Sequence, residues 1–220
     1  MEGDFSQING YWSGVLATEH RELRLVGFVS DVGRMVIYSI DQGNVPFISA
    51  RSSFADGHFY FSFPPIEGVY EGRLEGRELH GNLVQSQDRR RQLKMEYSRE
   101  MPELLRGAID ETMTGDLQSL QGYWWGYLGG NKGLFLYLQI TTVGVLSIAQ
   151  LYTPDQHHRA IMVSSTSLDG QAFKFFSKQV KGSYSGKLAR DRNSIKGFWK
   201  QGLLPTPLTL YFSEEKPERE

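Results

Sequence analysis

Gly10-Tyr11-Trp12-Ser13-Gly14 and Gly122-Tyr123-Trp124-Trp125-Gly126 are two aromatic clusters of nearly the same pattern, and Tyr70 and Tyr184 each stand two residues before a glycine. An indole or a phenol can stack on a ligand and offer it one hydrogen bond. The simpler account is structural: each tryptophan plugs the closed end of a small β-barrel, with the glycine leaving room, and each phenol lies over bare backbone and bonds to a backbone carbonyl. Trp199 is a fifth candidate. It follows Phe198, and alternation along a strand turns only one of that pair inward. Trp12, Tyr70, Trp124, Tyr184 and Trp199 are therefore the candidate ligand-binding residues, facing a barrel interior that would take a small apolar or aromatic molecule.

A second group of residues suits surface contact. Trp125 follows Trp124, so one of the two faces away from the core, where an indole suggests contact between the modules or with a partner, another protein or a second copy of the chain. Arg89, Arg90 and Arg91, behind Asp88, form a basic cluster that suits a phosphate or an acidic partner, although a charged hairpin tip is the commoner explanation and the second copy does not repeat it. His157 and His158 sit in a loop after Asp155; adjacent side chains on an extended chain diverge, so the expectation is no metal site. Standard catalytic constellations are absent. Gly182-Ser183-Tyr184-Ser185-Gly186 has tyrosine where a nucleophile elbow needs serine, Ser213-Glu214-Glu215-Lys216 lies in a charged tail, and the chain has no cysteine. No P-loop, dinucleotide fingerprint or HExxH motif occurs, so no cofactor is expected.

The elements that must position these residues occur twice. Ile8 to Leu16 returns as Leu120 to Leu128, Asp41-Gln42 as Asp155-Gln156, Asp56-Gly57 as Asp169-Gly170, Gly68 to Leu74 as Gly182 to Leu188, and Gln85 as Gln201. The order is kept and the offset stays close to that from Tyr70 to Tyr184, which identifies a tandem duplication. Each copy reads as about eight short strands separated by turn dipeptides, centred on Trp12, Leu25, Ile37, Phe47, Phe61, Tyr70, Leu83 and Met95 in the first. Those of the second centre on Trp124, Leu136, Ile148, Met162, Phe175, Tyr184, Phe198 and Leu210. With no helical period between strands, the expectation is an all-β chain of two tandem up-and-down antiparallel barrels, which leave no exposed edge. Leu104, Leu105, Ala108 and Ile109 stand at helical intervals behind Pro102 and predict a short connecting helix. The expected divisions are a first module over 1–100, a helical linker over 101–118, a second module over 119–213 and a charged tail over 214–220.

Charges nearly cancel, at a formal net −1, which argues against a nucleic-acid binder, since such a surface must be basic to release counterions. No apolar run approaches the roughly 20 residues of a membrane span, and no secretory signal follows Met1, so the expectation is a cytoplasmic protein.

Several motifs together resemble a known family. Trp124-Trp125-Gly126, Leu136-Tyr137-Leu138, Asp155-Gln156, Tyr184-Ser185-Gly186-Lys187-Leu188, Ile195-Lys196-Gly197, Gln201 and Pro207-Leu208-Thr209-Leu210 are similar to the small β domain ahead of the catalytic domain in some bacterial α/β-hydrolases and β-lactamase-related serine hydrolases. The first copy keeps most of them, with Arg91-Gln92-Leu93-Lys94 in place of the proline-leucine pair. The resemblance implies lipocalin-like barrels and a non-catalytic role. No catalytic residue carries over, because a second copy stands where the hydrolase domain would follow. The leading expectation is a binding or interaction module. Its competitors are a lipocalin-like barrel enzyme of isomerase or cyclase type without a nucleophile, and a structural subunit docking on a partner hydrolase. Whichever holds, a specific activity is expected where the copies differ.

Overall fold

The computed structural model of the chain describes residues 1–85 and 89–219, without the side chains of Val45, His157, His158 and Arg159. It divides into two compact units, Met1–Ile109 and Asp110–Glu220. The first unit holds β1 (Glu2–Gly3), β2 (Gly10–Ala17), β3 (Glu22–Val29), β4 (Met35–Ser39), β5 (Val45–Ile48), β6 (Arg51–Ala55), β7 (His58–Phe63), β8 (Gly68–Glu75), β9 (Glu78–Gln85) and β10 (Arg89–Ser98). Helix α1 (Glu103–Thr112) crosses the boundary. The second unit holds β11 (Met113–Thr114), β12 (Gly122–Leu128), β13 (Leu134–Val143), β14 (Leu146–Thr153), β15 (His157–Met162), β16 (Ser165–Asp169), β17 (Ala172–Ser177), β18 (Gly182–Leu188), β19 (Ser194–Lys200) and β20 (Pro205–Ser213). The fold is thus all-β, two lipocalin-like up-and-down barrels in tandem joined by a short helix.

Both sheets share one topology. In the first unit the order is β1-β6-β7-β8-β9-β10-β2-β3-β4-β5, and the second repeats it element for element. Among the described residues each sheet has ten strands against the eight expected. β10 returns to pair antiparallel with β2, Leu93 opposite Leu16 and Tyr97 opposite Trp12, so the meander curls on itself. The remaining seam lies between β5 and β6, which are joined by Ser49 and Ala50 alone. Ser49 N–H donates to Met35 O at 2.8 Å on the β4 side, and Ala50 N–H to Ser62 O at 2.9 Å on the β7 side. One extended segment therefore changes partner midway and ties the two margins together. In the second unit Ser164 N–H donates to Phe176 O at 2.7 Å at the equivalent place.

Alternation builds the core. Trp12 and Leu16 of β2, Leu23, Leu25 and Val29 of β3, and Leu93 and Met95 of β10 point to one interior and are buried there. One end is closed by a 3-10 turn, Phe5–Gln7, whose N-terminus is capped by Asp4 accepting from Ser6 N–H at 2.9 Å. Phe5 and Ile8 are buried beneath it, and Ile8 O accepts the Trp12 indole N–H at 2.9 Å. The second barrel closes in the same way: Leu120 O, at the end of the turn Gln118–Leu120, accepts the Trp124 indole N–H at 2.8 Å. The β2–β3, β4–β5 and β7–β8 turns lie at the opposite end, which forms the mouth.

Candidate functional site

The first barrel contains a cavity of about 290 Å³ just inside that mouth. Its walls are Leu16 of β2, Leu23 and Leu25 of β3, Ile37 of β4, Phe47 of β5, Phe63 of β7, Leu83 of β9 and Leu93 of β10. Each holds an inward position, so the pleat that makes the core also makes the apolar wall. Ile66, in the 3-10 turn Pro64–Ile66, roofs one side. The rim is polar: Thr18, His20 and Arg21 from the β2–β3 turn, Ser39 and Gln42 from the β4–β5 turn, and Gln85 and Arg91 from β9 and β10. The volume sits at the lower edge of the roughly 300–1,000 Å³ common for small-molecule pockets.

Most of the rim is held in place. Thr18 Oγ1 donates to Arg21 O at 2.6 Å, and Ser39 Oγ donates to Gln42 Oε1 at 2.9 Å. The Gln85 side-chain amide donates to Ile66 O at 3.2 Å, and its Oε1 accepts from the Arg91 guanidinium at 3.1 Å. Just outside, Arg24 grips Asp41 with a guanidinium contact of 2.6 Å and a backbone N–H contact of 2.8 Å. The Arg24 side-chain hydrogen bonds, then the backbone one, hold the Asp41 carboxyl at about 2. Among the described residues the ionisable groups that line the cavity are His20, Arg21 and Arg91; the first two are exposed and the third half-buried.

The five aromatic candidates lie deeper or in the other barrel. Trp12 is buried at the closed end, edge-on to Tyr97 at 5.3 Å between ring centroids, and does not line the cavity. Tyr70 is fully buried, and its hydroxyl faces two carbonyls, Leu79 O at 3.1 Å and Leu93 O at 3.2 Å. Its ring lies over bare backbone: a Cβ on Gly81 would stand 2.9 Å from Tyr70 Cε2. Trp124 and Tyr184 repeat these placements, with the Tyr184 hydroxyl 2.9 Å from Ile195 O and 3.2 Å from Leu208 O. Burial pushes both phenols well above the ordinary tyrosine range. Their polar atoms are thus matched by the barrel's own backbone.

Trp199 marks a difference between the barrels. Tyr70 is opposite Leu83 across β8–β9, and Tyr184 is opposite Trp199 across β18–β19, so Trp199 takes the place of a cavity wall. It is buried, while Phe198 faces out at 55% exposure. The indole sits so close to Gly182 that a Cβ there would lie 2.1 Å from Trp199 Cζ2. Gln201 donates to Val180 O at 2.8 Å, as Gln85 does to Ile66 O, but its Oε1 accepts from the Trp199 indole at 3.3 Å where Gln85 accepts from Arg91.

The surface candidates separate. Trp125 is half-buried on the outer face of the second barrel, its ring centroid 5.5 Å from that of Tyr211 and 6.3 Å from those of Tyr127 and Phe135. Arg89, Arg90 and Arg91 form the first turn-free residues of β10 instead of a hairpin tip, and alternation splits them. Arg90 faces Glu71 at 3.6 Å on the outside, while Arg91 reaches the cavity. The backbone of His157 and His158 starts β15, but their side chains lie outside the described residues, as does Asp88. Among the described residues no three His, Asp or Glu side chains converge, and no helix is long and apolar enough to cross a membrane. Sequence reasoning missed the apolar wall, because its leucines are ordinary strand residues. The signal that pointed to Arg91 was its lack of a counterpart in the second copy.

No protein-family model and no curated protein matches the chain. A solved structure of a protein with unknown function from the DUF3598 family, from Nostoc punctiforme PCC 73102, is similar over 94% of this chain and 95% of that one, at 13% identity and a TM-score of 0.28.

Proposed function

We propose that the protein is a non-catalytic binding module whose first barrel holds one small, largely apolar molecule. The observation that carries this reading is the cavity of about 290 Å³ with walls of leucine, isoleucine and phenylalanine under a hydrogen-bonded polar rim. Burying an apolar molecule there gains roughly 25 cal/mol for each Å² removed from water, and the walls already stand in a closed barrel, so little ordering opposes it. A barrel enzyme needs an ionisable group beside the reacting atoms. Among the described residues the ionisable groups stand at the mouth, which favours holding a molecule over transforming it.

Titration with the neutral fluorophore N-phenyl-1-naphthylamine tests the proposal. The expected result is saturable enhancement with one molecule bound per chain. Fluorescence that rises without saturation overturns it.

A further inference from the structure

We infer that the molecule held by the first barrel is an amphiphile with an anionic head, its apolar body in the cavity and its head on Arg21 and Arg91. This rests on the reading of the cavity as a binding site and adds the chemistry of the head. Three basic side chains and no acidic one line the cavity among the described residues, although the whole chain carries a net charge of −1. The nearby carboxylate, Asp41, has both oxygens on Arg24, at 2.6 to 3.2 Å. Neutral rim groups are spent on one another, Thr18 on Arg21 O and Ser39 on Gln42. What remains among the described residues is cationic. The Arg21 side chain makes no hydrogen bond among the described residues and acts on the Asp41 carboxylate only through space. Arg91 spends Nη1 on Gln85, which is itself anchored to Ile66 O, so the guanidinium is held at the mouth, and its other nitrogens make no hydrogen bond among the described residues.

Such a fork matches the two oxygens of a carboxylate or phosphate, and next to an apolar cavity the pairing is less screened than in open water. The arrangement is particular to this barrel. Arg91 is opposite Leu83, whereas its counterpart opposite Trp199 is Thr206, and there the glutamine carbonyl takes the indole. A buried alkyl body with a neutral head would bring neither guanidinium an anionic partner.

The test is displacement of N-phenyl-1-naphthylamine by decanoate, decyl phosphate, decan-1-ol and decylamine, at low salt and pH 8, from the unaltered chain and from Arg21→Gln and Arg91→Gln. Charge-assisted hydrogen bonds of this kind correspond to about a ten- to hundredfold gain, so decanoate or decyl phosphate is expected to bind that much tighter than decan-1-ol. Decylamine is expected to bind weakest. The two anions separate a carboxylate head from a phosphate head. Each substitution is expected to shrink the anion's advantage over decan-1-ol, with the naphthylamine affinity of each variant measured separately and its β-sheet circular dichroism and thermal melt showing that it is folded. Equal binding of decan-1-ol and both anions, or an anion advantage that survives both substitutions, overturns the inference while leaving the cavity reading intact. Failure of the naphthylamine itself to bind removes the cavity reading instead.

Discussion

The hydroxyl proton of Tyr70 is shared between Leu79 O and Leu93 O, and that of Tyr184 between Ile195 O and Leu208 O, so each phenol bridges two neighbouring strands from inside. Ionising either one would place a phenolate against two carbonyls in a dry core. Burial therefore raises both above the ordinary value, as it does for Tyr38, while Tyr137 is pushed up to about 12. The unfolded chain releases these protons near pH 10 and the folded one does not, so the stabilisation is complete below about pH 10 and is lost as the pH rises beyond it. A rapid jump to high pH should show two phases of phenolate absorbance. Exposed tyrosines ionise at once, whereas Tyr38, Tyr70 and Tyr184 ionise only as β-sheet circular dichroism is lost. A single immediate phase with the sheet intact would count against this packing.

At the scale of elements, closure of each barrel depends on a glycine that enters its first long strand. Gly10, at φ +137°, would put a Cβ 2.5 Å from the Tyr97 ring, and Gly122, at φ +129°, one 2.6 Å from the Phe212 ring. Gly76, in the β8–β9 turn, also has positive φ, at +63°, but nothing within 4 Å. Gly10→Ala should therefore cost about 2–4 kcal/mol, through backbone strain and overpacking together. Gly76→Ala should cost only about 1 kcal/mol, the ordinary left-handed penalty. Urea melts of the two variants check the ranking, and equal midpoints would show that Gly10 is not a packing device. The same scale explains what the sequence disclosed. The strands around Trp12, Leu25, Ile37 and Tyr70 are legible because alternation and β-branched or aromatic residues agree. β6 (Arg-Ser-Ser-Phe-Ala) and β16 (Ser-Thr-Ser-Leu-Asp) were not, because short serine-rich strands have the composition of turns. β1 and β11 have two residues each, too few to show any period.

For the molecule as a whole, duplication made the scaffold readable and hid the site. Residues that recur in both copies, such as Trp12 with Trp124 and Tyr70 with Tyr184, recur because both barrels need the same plug and the same cross-strand bridge. The cavity depends instead on leucines contributed by several strands and brought together only by barrel closure. No local pattern announces such a set. Its distinguishing positions, Leu83 against Trp199 and Arg91 against Thr206, become visible only once register fixes which residue faces which.

That correspondence shows how to test directly whether the first barrel is a binding chamber. Leu83→Trp copies into the first barrel the side chain that the second already accommodates at the equivalent place. The measurement is titration of this variant and the unaltered chain with N-phenyl-1-naphthylamine, with thermal melts beside it. The expected result is a folded variant that has lost the saturable site, a drop in affinity of at least about tenfold, corresponding to some 1.4 kcal/mol. A folded variant that binds the fluorophore as tightly as the unaltered chain would contradict it.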